Sequence, residues 1–579
     1  MIRFKTLTLF GCLLGSSTIF AASNDVDPEH TVTTTEYKTV VTRKYMAVTA
    51  NPHATEAATA MLAKGGSAVD ATIAAQLVLG LVEPQSSGIG GGAFMVYYDA
   101  GKKIVTSFDG RETAPASASA DMFLQADGTP QKFFEALVGG RSVGVPGVVA
   151  MMELAHQKYG RLPWKSLFDP AIKLAQEGFE VSPRLANLLA EEHYPGLKPF
   201  SDTRAYFYPD NQPLQAGQLL KNPAYAETLS ILANEGAKAF YHGRLAQQLV
   251  AVVRNSPVNP SGMTEQDLAG YRAIERQPAC GPYQAYIICG MGPPSSGGLT
   301  VLQIMMMAQS YDMSGMATND LPTLHRFTQL SRLAYADRDL YIADPDFVQV
   351  PQQALLNTTY LRDRAKLASG DQDHGKMDPG QLPQQHAWAE GDVGEFPSTS
   401  HLSIVDQRGN AVSMTTSIEM GFGSGLMVNG FLLNNQLTDF SFIPSRDGKP
   451  VINRIEPGKR PRSSMSPTIV LDQQQRLKLL IGSPGGSRII DYVTQPMLAV
   501  LAGNAPIGIA ANLPHITNRN DYTALEQNTP LADQESWFSE HGHTVKVIDL
   551  NSGLHAIEVT TEGYLGGVDT RREGLAAGQ

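Results

Sequence analysis

Cysteine and tryptophan are scarce in this chain, at three residues each among 579. So few cysteines exclude a disulfide-framed scaffold, and none has the partner spacing of a zinc site or a nucleophilic cysteine. Charge is sparse too: 17% of residues are charged, and 56 acidic against 45 basic side chains leave a net charge of −11. With no cluster of Lys and Arg, neither nucleic acid nor an anionic membrane surface is expected as the main partner. Past residue 23 no uninterrupted apolar run reaches the roughly 18 residues of a bilayer span, so no membrane anchor is expected. The patterns H-E-x-x-H, G-x-x-x-x-G-K-[ST] and S-x-x-K are missing, and with them any signature of a metal, nucleotide or other cofactor. Core-forming material, by contrast, is plentiful. Hydrophobic residues make up 42% of the chain, and 54 glycines and 36 prolines are near ordinary usage, so a globular protein is expected. Length alone suggests about four domains of ~150 residues.

The first residues read as an address rather than as fold. Arg3 and Lys5 precede an apolar stretch over 6–20, and Ala21-Ala22-Ser23 closes it with small side chains. That is the pattern of a secretory signal peptide, taken as 1–22 with cleavage near 21–23, and it implies a periplasmic or secreted protein. Removing this leader removes Cys12 and leaves Cys280 and Cys289. These bracket a Gly281-Pro282 turn and alternating apolar residues, so paired strands are expected there. A disulfide and two buried thiols are both compatible with that placement.

Helical spacing of apolar residues runs through 53–81, 147–159 and a Met-rich stretch at 299–308, whose methionines read as core filler; 93–98 reads as a strand. Residues 370–398 break the pattern: polar, rich in Gly, Pro and Asp and without periodicity, they read as an exposed, disordered linker. Two motifs invite chemistry and are met with plainer readings. The glycine run Ser86-Ser87-Gly88-Ile89-Gly90-Gly91-Gly92 follows a helix and precedes a strand, the reverse of a phosphate loop, and suits close backbone packing. Gly140-Arg141-Ser142-Val143-Gly144 matches G-x-S-x-G, but Pro146 and Gly147 delay the helix that a nucleophile elbow needs.

The hairpin after the linker is more informative. Pairing Val405 with Ala411 across the turn 406–410 carries Thr399 opposite Ser417, with Cβ atoms about 5 Å apart. A Thr that opens a buried strand directly after such a linker suits a residue that becomes a chain terminus by self-cleavage. Its freed α-amine is then its own general base, and Ser417 would orient the hydroxyl. On the hairpin alone, an ordinary Thr–Ser cross-strand pair is the competing reading.

Further segments recur in a definite order: Thr399-Ser400-His401, Phe422-Gly423-Ser424, Leu433-Asn434-Asn435-Gln436-Leu437-Thr438-Asp439-Phe440, Arg462-Ser463-Ser464-Met465-Ser466-Pro467-Thr468 and Gly482-Ser483-Pro484-Gly485-Gly486-Ser487. Upstream stand Glu83-Pro84, Phe108-Asp109-Gly110-Arg111-Glu112-Thr113-Ala114-Pro115, Val143-Gly144-Val145-Pro146-Gly147 and Pro293-Pro294-Ser295-Ser296-Gly297-Gly298, and near the end Asp569-Thr570-Arg571-Arg572-Glu573-Gly574. Over nearly all of the mature chain this resembles the gamma-glutamyltransferase (gamma-glutamyltranspeptidase, glutathione hydrolase) family of N-terminal-nucleophile hydrolases. The resemblance implies an α/β (α+β) fold, a four-layer αββα sandwich. It implies a precursor cut between Ser398 and Thr399 into a large subunit, 23–398, and a small catalytic subunit, 399–579, that stay in one sandwich. It further implies that Thr399 takes the γ-glutamyl group of glutathione or a related compound and passes it to water or an amino acid or dipeptide acceptor. The main-chain N–H groups of Gly485 and Gly486 would face the oxyanion. Arg111, with Ser463 and Ser464, would hold the α-carboxylate; Asp439, Gln436 and Glu419 would hold the α-ammonium.

The chain departs from the family at two places. Ser417 and Glu419 stand where many glutathione-handling members have Thr and Asn, although a subset of bacterial members shares the Glu. The segment 440–461 is several residues shorter than a full lid loop, which suits a pocket open to water or to bulkier γ-glutamyl chains. The alternatives are a glutaryl-type cephalosporin acylase on the same fold and a non-catalytic amino-acid-binding protein.

Overall fold

A computed structural model describes residues 29–31, 35–36, 38–383, 388–391 and 398–579. The expected leader 1–22, with Cys12, lies outside the described residues.

The strands of two large sheets come from both ends of the chain. The first part supplies β1 (Val41–Thr42), β2 (Met46–Thr49), β3 (Gly92–Asp99) and β4 (Ile104–Gly110). The middle supplies β5 (Ile274–Arg276), β6 (Ala279–Tyr283) and β7 (Tyr286–Gly290). After the linker come β8 (Ser400–Val405), β9 (Ala411–Ser417), β10 (Thr468–Asp472) and β11 (Leu477–Ile481). The last are β12 (His555–Val559), β13 (Tyr564–Val568) and β14 (Leu575–Gly578). One seven-stranded sheet runs β14-β2-β8-β9-β3-β4-β5 and the other β1-β13-β12-β11-β10-β7-β6.

Period-two alternation explains why both faces of the first sheet are buried. Ala47, Met95, Tyr97, Leu402, Ile404, Val412 and Met414 point to helices α1 (Pro52–Ala63), α2 (Ala68–Val82) and α3 (Val148–Tyr159). Their neighbours Met46, Val48, Phe94, Val96, Val405 and Ala411 point the other way, onto Ile469, Leu480 and Ile557 of the second sheet. The same apolar layer continues to helices α4 (Gly297–Ala308), α5 (Leu321–Tyr341) and α6 (Ile489–Leu501), which cover the second sheet's outer face. The result is the αββα sandwich, with helices outside two antiparallel sheets. Among the described residues, no helix is long and apolar enough to cross a membrane.

The stretch read as helical over 53–81 is two helices. Gly65, at φ +83°, ends α1, and Ser67 starts α2 through a capping box with Asp70. The linker expectation also needs correction. Over 370–383 the chain is mostly exposed, as expected, but anchored: the Asp373 carboxylate accepts from Arg332 Nε (2.9 Å) and Gln329 Nε2 (2.7 Å), and the Gly380 N–H donates to Asp337 Oδ1 (2.7 Å). Charge-assisted hydrogen bonds to buried partners order a segment whose apolar content is too small to do so. Ala389 bridges to Val451; 384–387 and 392–397 lie outside the described residues. Cys280 and Cys289 are opposed on β6 and β7 and joined by a disulfide.

Candidate active site

The β8–β9 hairpin pairs Val405 with Ala411 and Ser400 with Thr416, so its register carries Thr399 opposite Ser417. Both side chains are buried, at 4% and 2% exposure, and the Thr399 Oγ1 lies 3.3 Å from Ser417 Oγ. Two hydroxyls converge on one carbonyl: the Ser398 oxygen accepts from Thr399 Oγ1 (2.7 Å) and from Ser417 Oγ (2.9 Å). Ser417 Oγ in turn accepts the Glu419 N–H at 2.8 Å, which leaves the serine proton directed at that carbonyl. Behind β9, Gly91 lets two backbones meet, since a Cβ there would lie 2.1 Å from the Ser417 carbonyl oxygen. That is the close packing expected of the glycine run. Ser142 is elsewhere, in a buried 3₁₀ turn, with its hydroxyl spent on the carbonyls of Leu137 (2.5 Å) and Gly139 (3.1 Å).

Around Thr399 a narrow cleft is lined by Arg111, Ser417, Glu419, Gln436 and Asp439. Ser463, Ser464, Met465, Gly486 and Ile489 complete it. Arg111 leaves the end of β4 fully buried. Its Nη2 is hydrogen-bonded to Asp439 Oδ2 and to the Arg462 carbonyl (2.8 Å), and its Nε to the Pro461 carbonyl (3.2 Å). Burial works against the guanidinium charge, but Asp439, Glu112 and Glu419 outweigh it, so Arg111 stays protonated. Gln436 Nε2 bridges Glu419 Oε2 (3.0 Å) and Asp439 Oδ2 (2.9 Å), while its buried Oε1 has no hydrogen-bond partner among the described residues. Glu419 sits at φ +80°, a conformation that side chains other than glycine seldom adopt, and it is held there from both ends.

Opposite this corner, Gly485 (φ +134°) and Gly486 (φ +58°) form the turn before α6. A Cβ on Gly485 would press on the Tyr492 ring at 2.5 Å, so glycine is required on packing as well as on φ. None of the hydrogen bonds among the described residues uses the N–H of Gly485 or Gly486, which suits donors reserved for a developing negative charge.

Four contributors were not singled out from the sequence. Glu112, fully buried, lies 3.8 Å from Arg111 Nη1, and burial, partly offset by Arg111, pushes its carboxyl up to about 8. Asn453 joins the two halves of the pocket, donating to the Asp439 carbonyl (2.7 Å) and accepting the Arg462 N–H (3.0 Å). Arg338 donates to Ser464 Oγ (2.7 Å), and Arg572 reaches the Thr399 carbonyl (3.3 Å). Glu112 stands beside Arg111 and Arg572 lies in the quoted 569–574 segment, whereas nothing in the sequence marks Asn453 or Arg338.

The chain is similar to known proteins over most of its length. The sequence profile of a family described as Gamma-glutamyltranspeptidase matches residues 54–579. A glutathione hydrolase proenzyme of Bacillus subtilis (strain 168) is 36% identical over 557 residues, covering 94% of this chain and 93% of that one. A glutathione hydrolase proenzyme of Escherichia coli (strain K12) is 34% identical over 523 residues, covering 88% and 87%. Among solved structures, a cephalosporin acylase from Bacillus halodurans superposes with a TM-score of 0.81 at 26% identity, covering 94% of this chain and 97% of that one.

Proposed function

Since the chain belongs to the gamma-glutamyltranspeptidase family, we propose that it is a self-cleaving γ-glutamyl hydrolase and transpeptidase with Thr399 as its nucleophile. The observation that carries this reading is the convergence of the Thr399 and Ser417 hydroxyls on the Ser398 carbonyl. In the precursor, Thr399 Oγ1 attacks the Ser398 carbonyl carbon while Ser417 donates to its oxygen. The C–N bond breaks, the hydroxyl proton passes to the departing amine, and the resulting ester is opened by water. The products are chains 23–398 and 399–579, the second beginning with a free α-amine.

That amine then serves as base for the same hydroxyl. The α-carboxylate of a γ-glutamyl donor is held by Arg111 with Ser463 and Ser464, its α-ammonium by Asp439, Glu419 and Gln436. Both charged ends are fixed by opposite charge, which aims the γ-carbonyl at Thr399. Attack gives a tetrahedral oxyanion facing the Gly485 and Gly486 N–H groups. Its collapse expels the amine, protonated by the Thr399 ammonium, and leaves an acyl-enzyme. Water resolves it to glutamate; an amino acid or dipeptide amine resolves it to a new γ-glutamyl compound. Glutathione and related γ-glutamyl compounds are the donors, and the pattern at 1–22 assigns the protein to the periplasm or medium.

The similarity to a cephalosporin acylase supports a second reading, a glutaryl donor lacking the α-amine. The acceptor-rich corner favours the first. The α-ammonium of a γ-glutamyl donor brings a cation to Glu419 and Asp439, which a glutaryl chain does not. Parallel assays of a γ-glutamyl anilide and a glutaryl anilide test the choice. Preference for the glutaryl compound overturns it.

A further inference from the structure

The three side chains assigned to the α-carboxylate are not equivalent. Arg111 is a cation, but Asp439 already pairs with it. Ser463 and Ser464 are neutral, and a hydroxyl helps a carboxylate only if its proton, not its lone pair, faces the ligand. Their surroundings decide this. Ser463 Oγ accepts the Met465 N–H at 3.1 Å, and Ser464 Oγ accepts from Arg338 Nη2 at 2.7 Å. Each oxygen is thus supplied with a donor by the protein, and what each retains to offer is its proton.

Arg338 comes from the last turn of α5, 126 residues before Ser464, and is buried, at 3% exposure. Its fork spans two loops. Nε donates to Ser296 Oγ (2.9 Å), whose hydroxyl donates to the Ser463 carbonyl (2.7 Å), and Nη2 donates to Ser464. Nη1 pairs with Asp339 (2.7 Å), which also pairs with Arg462 (3.2 Å). One guanidinium therefore holds both serines from behind, across the boundary between the proposed large and small subunits. Lysine cannot reproduce this, because it lacks a planar fork.

We propose that Arg338 is a positioning residue for the donor's α-carboxylate: it fixes Ser464 as a proton donor facing that group. This rests on the γ-glutamyl reading given above. The role predicts a discrimination effect rather than a catalytic one, since Arg338 does not touch the reacting atoms.

The test is a double-mutant cycle on the cleaved enzyme with a γ-glutamyl anilide donor. Arg338→Met is expected to raise KM about ten- to a hundredfold, the worth of a charge-assisted hydrogen bond, with kcat changed less than about threefold. In a Ser464→Ala background the same substitution is expected to cost less than about threefold, because the hydroxyl it orients is gone. Arg338→Lys should lie nearer to Arg338→Met than to wild type. If Arg338→Met fails to fold or to be cleaved, the cycle is run with Arg338→Lys, for which the same non-additivity is expected. Equal losses in both backgrounds, or a fall in kcat at unchanged KM, would overturn the inference. Wild type inactive on the γ-glutamyl anilide would instead sink the parent reading, so the two failures are distinguishable.

Discussion

Replacing Gly91 by alanine probes the geometry on which self-cleavage depends without touching a reactive group. A Cβ at Gly91 falls 2.1 Å from the Ser417 carbonyl oxygen and 2.8 Å from Ile418 Cγ2. Gly91 has little freedom to retreat, because its own carbonyl accepts the N–H groups of Gly147 (2.9 Å) and Val148 (3.2 Å) at the start of α3. The strain therefore passes to β9, and restoring van der Waals contact moves Ser417 by roughly 1 Å. Its hydroxyl stands 2.9 Å from the Ser398 carbonyl and 3.3 Å from Thr399 Oγ1, so both contacts are disturbed together. A misplacement of about 1 Å in a reacting array costs on the order of a hundredfold, or about 2.7 kcal/mol of barrier. The assay follows conversion of purified precursor into two chains over time by denaturing electrophoresis. Gly421→Ala serves as control, since its Cβ would meet open space. Gly91→Ala cleaved at the wild-type rate, with an unchanged melting temperature, would refute the reasoning.

Other outcomes follow from the same contacts. Asp439→Asn removes an acceptor for the donor's ammonium and the nearest carboxylate of the buried Arg111; kcat/KM on a γ-glutamyl anilide should fall at least about a hundredfold, and retention within a few-fold would reject the ammonium corner. His555 is fully buried with neither ring nitrogen hydrogen-bonded among the described residues, and burial, only partly opposed by Asp569, lowers its pKa to about 3. The unfolded chain takes up that proton below about pH 6.5 while the folded one does not, so this contribution is complete above 6.5 and lost as pH falls toward 3. By pH 5 the loss is about 2 kcal/mol, and urea titrations should show His555→Gln losing correspondingly less stability than wild type between pH 7 and 5. Ser142→Ala should leave turnover per cleaved enzyme within about twofold while costing roughly 1 kcal/mol in melting experiments; loss of turnover would revive a serine nucleophile at G-x-S-x-G.

The parts of this architecture governed by local rules could be read from the chain itself. The alternation of 400–417 yields the hairpin register, and with it the Thr399–Ser417 pairing. The reading of 53–81 as one helical stretch overlooked a signal that was present, the Gly65-Gly66 break followed by the Ser67 and Asp70 cap. What escaped was non-local. The segment 370–383 looked unable to order itself because its anchors, Arg332 and Asp337, lie on α5 and carry no mark of that pairing in sequence. Arg338 reaches the pocket from a segment 126 residues away, and Asn453 acts on it through the Asp439 carbonyl and the Arg462 N–H rather than by facing it. Arg111 and Asp439 were assigned to opposite ends of a ligand, and they also neutralise each other. That mutual pairing explains how one buried corner tolerates both charges before a zwitterion arrives.

The central claim is that Thr399 becomes a chain terminus by its own hydroxyl. Intact mass measurement of the purified, denatured protein, with N-terminal sequencing of the smaller chain, tests it most directly. Wild type is expected as two chains, the smaller running from Thr399 to Gln579, and Thr399→Ala as one uncut, inactive chain. A wild-type enzyme that turns over γ-glutamyl anilide as a single chain, or a Thr399→Ala variant cut at the same bond, would contradict it.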